Sequence, residues 1–514
     1  MYIEDAVLFW ELVERRATLS PDATMLIDEQ GHSTSFAGYR DDAERLASAL
    51  YREGIRSGHW VLWQLPTSYR AAVLIAALSR LEVVQNPLIH LYGVNELRAI
   101  LAQRKFDYFI ADAAAVALPE EGDGPRRITL PLPLSLEGAV PALPEFTGEV
   151  QRIRWVFYTS GTTAGPKGAM HTDRPLVSAG LRLAQSYGVG EGDVSALAFP
   201  IAHVGGPMYL VEMLASGAAA LVMARFSGDE AARLFPRHQV SACGGSTAHY
   251  QALLEVQRAV GGAPLFPALR VLGGGGAARP TELYFRVREE LDARISHTYG
   301  MTECPCVTVS PVNASDEALA CTDGYPQPDI ALRIVTPQGD IAKPGEVGEI
   351  RIRGVAIFSG YTDSALNEKA FDQAGYFRTG DLGYLREDGR LVVTGRIKDI
   401  IIRKGENISA QEIENLLYEH PAIRAVAVIG LPDSERGERV CAVIEPADSA
   451  APPDLESIRQ FMLGLGVMRQ KIPEQVEIMA ALPRNQTFNK VLKYRLLEMF
   501  SGQHTSANQS GQAT

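Results

Sequence analysis

A run of hydroxyl, glycine and lysine residues follows a short apolar stretch in the second quarter of the chain. It reads Tyr158-Thr-Ser-Gly-Thr-Thr-Ala-Gly-Pro-Lys-Gly168. Glycines let backbone N–H groups approach an anion closely, hydroxyls donate hydrogen bonds to its oxygens, and lysine adds positive charge. The run therefore predicts a loop that binds the phosphates of a nucleotide. Its predicted contacts are Thr159, Ser160, Gly161, Thr162, Thr163 and Lys167.

The run differs from the common phosphate loop G-x-x-x-x-G-K-[ST]. Started at Gly161, that pattern would need glycine at Pro166 and Ser or Thr at Gly168. The sequence therefore disfavours a kinase or ATPase of that kind. Because stretches rich in Ser, Thr and Gly are also common in plain surface loops, the segments downstream decide between the two interpretations.

Three further segments follow in order along the chain. They are Tyr299-Gly-Met-Thr-Glu303, Tyr376-Phe-Arg-Thr-Gly-Asp381 with Gly395-Arg396, and Leu482-Pro-Arg-Asn-Gln-Thr-Phe-Asn-Lys490. With the loop, they resemble the signature motifs of the adenylate-forming superfamily of acyl-CoA synthetases, luciferases and amino-acid adenylation domains. The resemblance covers nearly the whole chain, from about residue 9 to about residue 497. Within the superfamily, the chain looks most similar to bacterial synthetases for alicyclic, aromatic or medium-chain acids.

The resemblance implies roles for the first two of these segments. In the family, the tyrosine lies against adenine, the threonine meets the α-phosphate and the glutamate helps to hold Mg²⁺; the matching residues are Tyr299, Thr302 and Glu303. A carboxylate oxygen suits this hard cation, which shares its shell with phosphates and water. Asp381 can accept two ribose hydroxyls, and Arg396 can reach the same sugar.

Three short stretches match family positions around the base, the acyl group and CoA. The histidine of Pro200-Ile-Ala-His203 stands at the acyl-site position. The glycine run before Pro280 matches the adenine loop and places Gly275, Gly276 and Ala277 against the base. The segment Arg403-Lys-Gly-Glu-Asn-Ile408 matches a loop that lines the path of the CoA thiol, with Gly405 at its second glycine. Retention of this glycine favours a thioester-forming enzyme, because a side chain would obstruct the thiol.

The last segment carries the family's catalytic lysine. Lys490 is the predicted residue, because the Val-Leu-Lys that follows it fits the family pattern I-x-K, and Lys493 is the alternative. The chain departs from the family here by one extra residue and by Asn489 in place of glycine, and Ala164 replaces a glycine of the phosphate loop. These departures are the only support for an inactive nucleotide-binding protein.

The resemblance implies a two-step reaction with ATP, Mg²⁺ and coenzyme A. The carboxylate of the substrate attacks the α-phosphate of ATP to give an acyl-adenylate and pyrophosphate, and the thiol of CoA then releases AMP. The predicted function is therefore an acyl-CoA synthetase for a small-molecule carboxylic acid. An adenylating enzyme that passes its acyl group to a carrier protein, or to an oxidation step as in luciferases, remains an alternative.

The acid is predicted to carry an apolar, uncharged tail. Amino-acid adenylation domains generally place an aspartate in the acyl site, whereas Ala202-His-Val-Gly-Gly-Pro207 contains none. The segments Gly244–Ala248 and Leu272–Ala278 are small and uncharged, which indicates a roomy apolar pocket. A purely structural role of these glycines is the alternative.

Composition excludes several other classes. The chain has 514 residues, 49 Lys and Arg against 61 Asp and Glu, and a net charge of −12, with no basic run, so nucleic acid is not an expected partner. Its five cysteines lack the clusters of a zinc site, and no disulfide is predicted. No segment approaches the length of a membrane span and no signal peptide opens the chain, which predicts a cytoplasmic protein. A homodimer is one assembly left open.

Alternating apolar strands and helical stretches predict an α/β fold. Segments at 154–158, 195–199, 219–223 and 240–243 are typical of parallel, helix-covered sheet strands, and a helix over 176–187 should follow the phosphate loop. After Gln327 the pattern changes to a β-rich subdomain. The expected domains are residues 1–395, a hinge at 396–399 that includes Lys398, a small α+β C-terminal domain at 400–502, and a disordered tail at 503–514.

Overall fold

Buried apolar strands dominate the first three hundred residues of the computed structural model, which describes residues 1–112, 124–130, 142–159, 165–275, 280–484 and 490–501. Strands such as Tyr108–Ala111 and Ala219–Val222 are buried at every position. A strand that is buried on both faces needs helices on both sides of its sheet, as parallel α/β sheets have.

The described residues form the following strands and helices. The strands are β1 (Thr24–Ile27), β2 (Ser33–Ser35), β3 (Trp60–Gln64), β4 (Val84–Pro87), β5 (Tyr108–Ala111), β6 (Arg126–Thr129), β7 (Trp155–Thr159), β8 (Lys167–His171), β9 (Val194–Leu197), β10 (Ala219–Val222), β11 (Ala242–Gly245), β12 (Val271–Gly274), β13 (Arg294–Met301), β14 (Cys304–Val309), β15 (Tyr325–Pro326), β16 (Ile330–Val335), β17 (Gly348–Gly354), β18 (Gly360–Tyr361), β19 (Phe377–Leu385), β20 (Leu391–Arg396), β21 (Ile400–Arg403), β22 (Glu406–Ser409), β23 (Ile423–Asp433), β24 (Gly437–Pro446) and β25 (Gln475–Ile478). The helices are α1 (Phe9–Leu19), α2 (Phe36–Arg52), α3 (Tyr69–Arg80), α4 (Val94–Leu101), α5 (Arg174–Tyr187), α6 (Gly205–Ser216), α7 (Gly228–His238), α8 (Thr247–Val260), α9 (Thr281–Leu291), α10 (Asp316–Cys321), α11 (Ser364–Ala370), α12 (Ala410–Leu417), α13 (Leu455–Gly464) and α14 (Lys493–Ser501).

Two large sheets, one small sheet and a separate C-terminal sheet organise the molecule. The order β15-β14-β13-β12-β11-β9-β10-β1-β2 makes a nine-stranded sheet, and β18-β8-β7-β4-β3-β5-β6 makes a seven-stranded one. In both, the central strands pair in parallel. The strands β16-β17-β19-β20 form an antiparallel sheet, and β22-β21-β24-β23, with β25 beside β24, forms the fourth. The predicted α/β class with a β-rich subdomain and a small α+β unit is confirmed.

The phosphate loop differs from the predicted strand–loop–helix order. Strand β8 comes between the loop and α5, and it pairs antiparallel with β7 in a register that joins Thr159 to Lys167. The sequence of β8 contains a glycine and few strand-favouring residues, so its pattern did not predict a strand. Gly168 is required by packing, because a Cβ there would lie 2.9 Å from Thr362 Oγ1. The segment Arg174–Tyr187 is helical as expected.

A single short turn connects the two parts of the chain. Strand β20 ends at Arg396, a 3₁₀ turn covers Ile397–Asp399, and β21 opens the C-terminal sheet at Ile400. The predicted tail at 503–514 lies outside the described residues. Within the described part of the chain, no helix combines the length and apolar character needed to cross a membrane. The five cysteines are free, and four of them are buried.

Candidate active site

The described ends of the phosphate loop are fixed by strand pairing. Thr159 and Lys167 face each other at the ends of β7 and β8, and the Lys167 ammonium lies 5.9 Å from the centre of the Tyr361 ring. Both residues line a cavity of about 860 Å³, which we call the central cavity. The predicted contacts Ser160, Gly161, Thr162 and Thr163, together with Ala164, lie outside the described residues.

The predicted phosphate and metal residues occupy the turn of a hairpin. Strands β13 and β14 pair Met301 with Cys304, which leaves Thr302 and Glu303 in the two-residue turn between them. The Tyr361 hydroxyl donates a hydrogen bond of 2.5 Å to Glu303 Oε1. His171 donates from Nε2 to the Thr302 carbonyl at 2.9 Å. His171 is in β8, and Tyr361 is in β18, the strand that pairs with β8. Both residues of the turn are therefore held by strands of the sheet that contains the phosphate-loop hairpin.

Burial keeps His171 neutral. Its imidazole is fully buried, and this burial lowers its pKa to about 4. A carbonyl oxygen only accepts hydrogen bonds, so the proton of the neutral ring must be on Nε2. His171 and Tyr361 were not predicted from the sequence. Both are single residues far from the motif, and no local spacing links them to the turn.

A buried carboxylate, Asp381, lies beside the last residue of β20. Asp381 accepts a hydrogen bond from the Tyr299 hydroxyl at 2.8 Å and an ion pair from Arg396 Nε at 2.9 Å. Asp381 and Arg396 are also register partners on β19 and β20. Since a carboxylate has about four acceptor positions, two remain for ribose hydroxyls. Burial and the neighbouring carboxylate raise the pKa of Tyr299 well above its usual value, so the tyrosine donates and Asp381 accepts.

The two candidate lysines have different neighbours. Lys490 lines the central cavity, whereas the Lys493 ammonium pairs with Glu414 Oε1 at 2.7 Å. The Lys490 side chain keeps exposed surface because the cavity is open, yet protein surrounds it on most sides. Desolvation by the surrounding protein is the main cause that lowers the pKa of Lys490 to about 8, and the nearby positive charge of Arg396 is the second. Lys490 therefore lies at the cavity that most of the other predicted nucleotide residues line, whereas Lys493 lines only the adjoining cavity that contains Tyr299.

The loop before Lys490 is closed by its neighbours. Arg484 and Val491 form an isolated antiparallel bridge, and the Leu492 amide donates to the Pro483 carbonyl at 2.8 Å. Asn489 itself lies outside the described residues. These two contacts fix the chain on both sides of the segment that departs from the family pattern.

Nine of the predicted residues that the structure describes line one cavity of about 860 Å³, to which the chain contributes from both sides of the 3₁₀ turn at Ile397–Asp399. Its lining includes Thr159, Lys167, His203, Gly275, Thr302, Glu303, Asp381, Arg396 and Lys490. Tyr299 lines an adjoining cavity of about 290 Å³, which shares Asp381, Arg396 and Lys490. Gly276 and Ala277 lie outside the described residues.

Gly405 lines neither of these two cavities. Strands β21 and β22 pair Arg403 with Glu406, so Lys404 and Gly405 form a two-residue turn with φ of +50° and +82°. Such a turn requires positive φ at both positions, which glycine adopts without strain. The turn itself therefore explains the glycine, independently of any thiol path.

A neutral histidine stands where the acyl group is expected. The Gly205 amide donates to His203 Nδ1 at 3.1 Å, and burial lowers the pKa of His203 to about 4. The proton of the neutral ring is therefore on Nε2. His203 lies two residues before α6, whose twelve residues are all buried. The helix thus anchors the histidine at the cavity wall.

The wall beside His203 comes from α5, α6 and the segment that precedes α6. Its residues are apolar or aromatic: Leu183, Tyr187, Phe199, Val204, Met208 and Tyr209. The sequence did not predict the two tyrosines. The sequence predicted open space at Gly244 and Gly273, but the tyrosine rings occupy that space. A Cβ on Gly244 would lie 2.5 Å from the Tyr209 ring, and one on Gly273 would lie 2.3 Å from the Tyr187 ring.

The donor set suits Mg²⁺ better than a metal held by protein alone. Among the described residues, no group of three His, Cys, Asp or Glu side chains is placed to hold a metal ion. Mg²⁺ commonly binds through one or two carboxylates together with substrate phosphates and water. Glu303, at the cavity and near Lys167 of the phosphate loop, provides one such carboxylate.

Comparison with known proteins gives matches over almost the whole chain. Residues 13–362 match the AMP-binding enzyme family, and residues 412–489 match the AMP-binding enzyme C-terminal domain. The chain is 30% identical over 503 residues to a sulfoacetate–CoA ligase of Cupriavidus necator, covering 95% of this chain and 96% of the relative. It is 32% identical to a salicyl-AMP ligase / salicyl-S-ArCP synthetase of Mycobacterium tuberculosis, over 89% of this chain and 84% of the relative.

Solved structures with the same fold include nucleotide complexes. ATP-bound MatB from Rhodopseudomonas palustris aligns with a TM-score of 0.86 and 26% identity, covering 96% of this chain and 99% of that protein. The o-succinylbenzoate coenzyme A synthetase MenE from Bacillus subtilis, in complex with ATP and magnesium ion, aligns with a TM-score of 0.82 and 26% identity, covering 95% and 99%.

Proposed function

Since this chain belongs to the family of AMP-binding enzymes, we propose that it is an ATP-dependent acyl-CoA synthetase for a monocarboxylic acid with an uncharged tail. The reaction converts acid, ATP and CoA to acyl-CoA, AMP and pyrophosphate through an acyl-adenylate. One observation carries the proposal. A single cavity joins the polar group of Lys490, Asp381 and Thr302 to an apolar wall built by α5 and α6.

The first half-reaction needs no nucleophilic side chain. The carboxylate of the acid attacks the α-phosphorus, its oxygen forms the new P–O bond, and pyrophosphate leaves with the electrons of the broken bond. The protein must align two anions and stabilise charge on the phosphoryl oxygens. We assign this task to the Lys490 ammonium, the Thr302 hydroxyl and the phosphate loop.

Glu303 is the residue that we assign to Mg²⁺, which supplies positive charge to the phosphates when it is bound. Tyr361 holds the Glu303 carboxylate through its 2.5 Å hydrogen bond. Asp381 and Arg396 bind the ribose, and Tyr299 with Gly275 borders the base. Because Asp381 is held from both sides, its orientation is set before the nucleotide arrives.

The second half-reaction is assigned to the same protein after a domain movement. We propose a domain of residues 1–395, a hinge at 396–399 and a mobile domain from residue 400. The hinge lies between the last strand of one sheet and the first strand of the next, so a rotation there breaks no sheet. Such a rotation withdraws Lys490 from the cavity and brings the Lys404–Gly405 turn toward the adenylate, where the CoA thiol attacks.

The acyl wall favours a tail without charge. The cavity-lining residues from α5, α6 and the described segment 199–204 are apolar, tyrosine, glycine or neutral histidine. A buried anionic or cationic tail would need a partner of opposite charge, because an unpaired charge is costly to bury. Medium-chain, alicyclic and aromatic acids meet this condition. We therefore do not transfer the dianionic substrate named for the sulfoacetate–CoA ligase to this chain.

A carrier-protein acceptor is the second candidate. The 32% identical salicyl-S-ArCP synthetase favours it, since its name records transfer to a carrier protein. Both candidates need the same adenylation site, so the acceptor alone distinguishes them. The use of ATP and CoA and the five free thiols fit a cytoplasmic location. A homodimer stays a hypothesis, which a measurement of molecular mass in solution would test.

The experiment that tests the function is an AMP-release assay with ATP, Mg²⁺ and CoA over a panel of aliphatic, alicyclic and aromatic acids, with mass detection of the thioester. We expect a CoA thioester from one class of acids. AMP release without any thioester would replace CoA by a carrier protein. No acid-dependent AMP release would favour the inactive nucleotide-binding protein and contradict the proposal.

A further inference from the structure

Two tyrosines from neighbouring helices lie side by side at one end of the acyl wall. Tyr187 is the last residue of α5 and Tyr209 is in the second turn of α6, and both line the cavity. Their rings cover Gly273 and Gly244, which are register partners on β12 and β11. The two rings therefore cover one row of the nine-stranded sheet.

The next pair of residues on the same strands borders the part of the cavity that we assign to the nucleotide. Gly245 and Gly274 are register partners one residue further along β11 and β12, and with Gly275 they line the central cavity. Successive residues of a strand advance about 3.3 Å. The tyrosine rings thus lie one residue further from the carboxyl ends of the parallel strands than Gly245 and Gly274, which border the part of the cavity assigned to the nucleotide.

Packing holds both rings in place. Only 2% of Tyr187 and 5% of Tyr209 is exposed. The Tyr187 hydroxyl lies 3.1 Å from Thr298 Oγ1, and the Tyr209 ring packs edge-on against Phe199 with ring centres 5.0 Å apart. Neither ring can retreat toward the sheet, since the rings already fill the space that the missing Cβ atoms of Gly244 and Gly273 leave.

The region beyond the rings is closed as well. Glu212 follows Tyr209 by three residues on the same face of α6, and it has no exposed surface. Its carboxyl oxygens are inaccessible and make no hydrogen bond of normal geometry with described residues, although Ser195 is close enough to favour the charged form. Burial raises the pKa of this carboxyl well above its usual value. The cavity does not continue past the tyrosines to this group.

We propose that Tyr187 and Tyr209 form the floor of the acyl pocket and restrict the enzyme to compact acids with a single ring or a short chain. This inference rests on the proposed adenylating function and narrows its substrate class. Two aromatic rings form a surface that a substrate ring contacts edge-on or in offset stacking. A long straight chain meets the same surface end-on and has no room beyond it.

The test is a chain-length profile of the full-length protein, measured by acid-dependent ATP–pyrophosphate exchange and, separately, by CoA thioester formation. Benzoate, phenylacetate and longer phenylalkanoates form one series, and straight-chain acids from butanoate to dodecanoate form another. We expect the wild type to prefer the compact members by tenfold or more, since a methylene group is worth about 10–200-fold in such pockets.

Replacing either ring by a smaller side chain should move the profile to longer acids. Tyr209→Leu and Tyr187→Leu are expected to raise the long-to-short ratio of kcat/KM by at least about tenfold. Tyr209→Phe keeps the ring and is the matched control, with a ratio within about threefold of the wild type. Because the ratio compares two acids on one preparation, a smaller folded fraction does not change it.

Two outcomes would refute the proposal that Tyr187 and Tyr209 form the floor of the acyl pocket. One is a wild-type protein that accepts dodecanoate as efficiently as the ring acids, and the other is a pair of leucine variants whose chain-length profiles match that of the wild type. Exchange without CoA thioester would refute the CoA acceptor alone, because the length profile of exchange still measures the floor. Absence of exchange with every acid would overturn the proposed function and this inference together.

Discussion

Two lysines three positions apart illustrate what single residues contribute. Lys490 and Lys493 both fit a family pattern, but the second is neutralised by Glu414 and the first lies beside Asp381 and Arg396. A cation that stabilises a phosphoryl group must be at the cavity. The ion pair of Lys493 instead connects α14 to α12.

Lys490→Ala should separate the two half-reactions. We expect adenylation to fall by about 10²–10³, the usual cost of removing one group that stabilises developing charge. Thioester formation from a supplied acyl-adenylate should stay within a few-fold of the wild type, because this step does not use the lysine. Pyrophosphate exchange and thioester formation measure the two steps. Equal losses in both would refute the assignment.

Lys493→Ala is the control for this experiment. It removes the ion pair between the partly exposed Lys493 ammonium and the buried Glu414 carboxylate, neither of which lines the central cavity, so its effect on either half-reaction should be less than about tenfold. A larger loss of adenylation in Lys493→Ala than in Lys490→Ala would exchange the roles of the two lysines.

The lowered pKa of Lys490 predicts an alkaline limit of activity. Burial and the charge of Arg396 lower this pKa to about 8, and the protonated form is the one that stabilises phosphate. Adenylation should therefore be fully supported below this value and should decline as pH rises through about 8. The profile of kcat/KM for ATP reports the free enzyme and is the measurement to make.

Lys490→Arg tests the origin of that decline. A guanidinium stays protonated throughout this range, so the variant should lose the decline near pH 8 even if its rate is lower. A decline that persists unchanged in Lys490→Arg would assign the titration to another group.

At the scale of elements, the hairpin of β13 and β14 positions Thr302 and Glu303, which we assign to the phosphate and to Mg²⁺. Its turn depends on a close approach of the two strands at Gly300, where a Cβ would lie 2.3 Å from the Pro305 carbonyl oxygen. The glycine of the Tyr-Gly-Met-Thr-Glu motif thus has a packing reason that does not involve the nucleotide.

Gly300→Ala should disturb this hairpin and displace Thr302 and Glu303. Because a misplacement of about 1 Å can cost about 10² in rate, we expect adenylation to fall by roughly that factor with the protein still folded. The matched control is Gly464→Ala in α13, where a Cβ would meet nothing within 4 Å. Circular dichroism and pyrophosphate exchange test the pair, and equal activities would contradict the packing argument.

The phosphate-loop hairpin shows how far local pattern reaches at this scale. The strand β7 and the helix α5 were predicted because an apolar run and helical periodicity are local signals. Strand β8 was not, since all of its residues except Met170 are small or polar and its pairing with β7 and β18 supplies the stabilisation. Tertiary pairing outweighs weak strand propensity here.

At the scale of the whole molecule, the cavity is lined by residues from both sides of the 3₁₀ turn at Ile397–Asp399. Lys490 comes from the C-terminal part of the chain, and Asp381 and Thr302 come from the larger part. A nucleotide that contacts all three must stabilise this arrangement of the domains against others.

ATP with Mg²⁺, without acid, should therefore slow hydrogen exchange on both sides of the cavity. We expect protection at residues 380–399 and 490–501, approaching about 2.7 kcal/mol at a ligand concentration 100-fold above Kd. Lys490→Ala should retain protection in the first segment and lose much of it in the second. Mass spectrometry of peptic fragments measures both, and protection confined to the large domain would contradict a shared site.

The sequence by itself determined the family resemblance, the fold class and most of the candidate nucleotide-site residues, because these depend on short motifs and on local periodicity. It favoured Lys490 over Lys493 on the motif pattern alone, and it did not indicate that Tyr361 and His171 hold the Thr302–Glu303 turn. It also suggested open space where Tyr187 and Tyr209 cover Gly273 and Gly244. Only the tertiary structure decided these points, since each depends on packing between segments far apart in the chain, and such contacts leave no spacing pattern in one sequence.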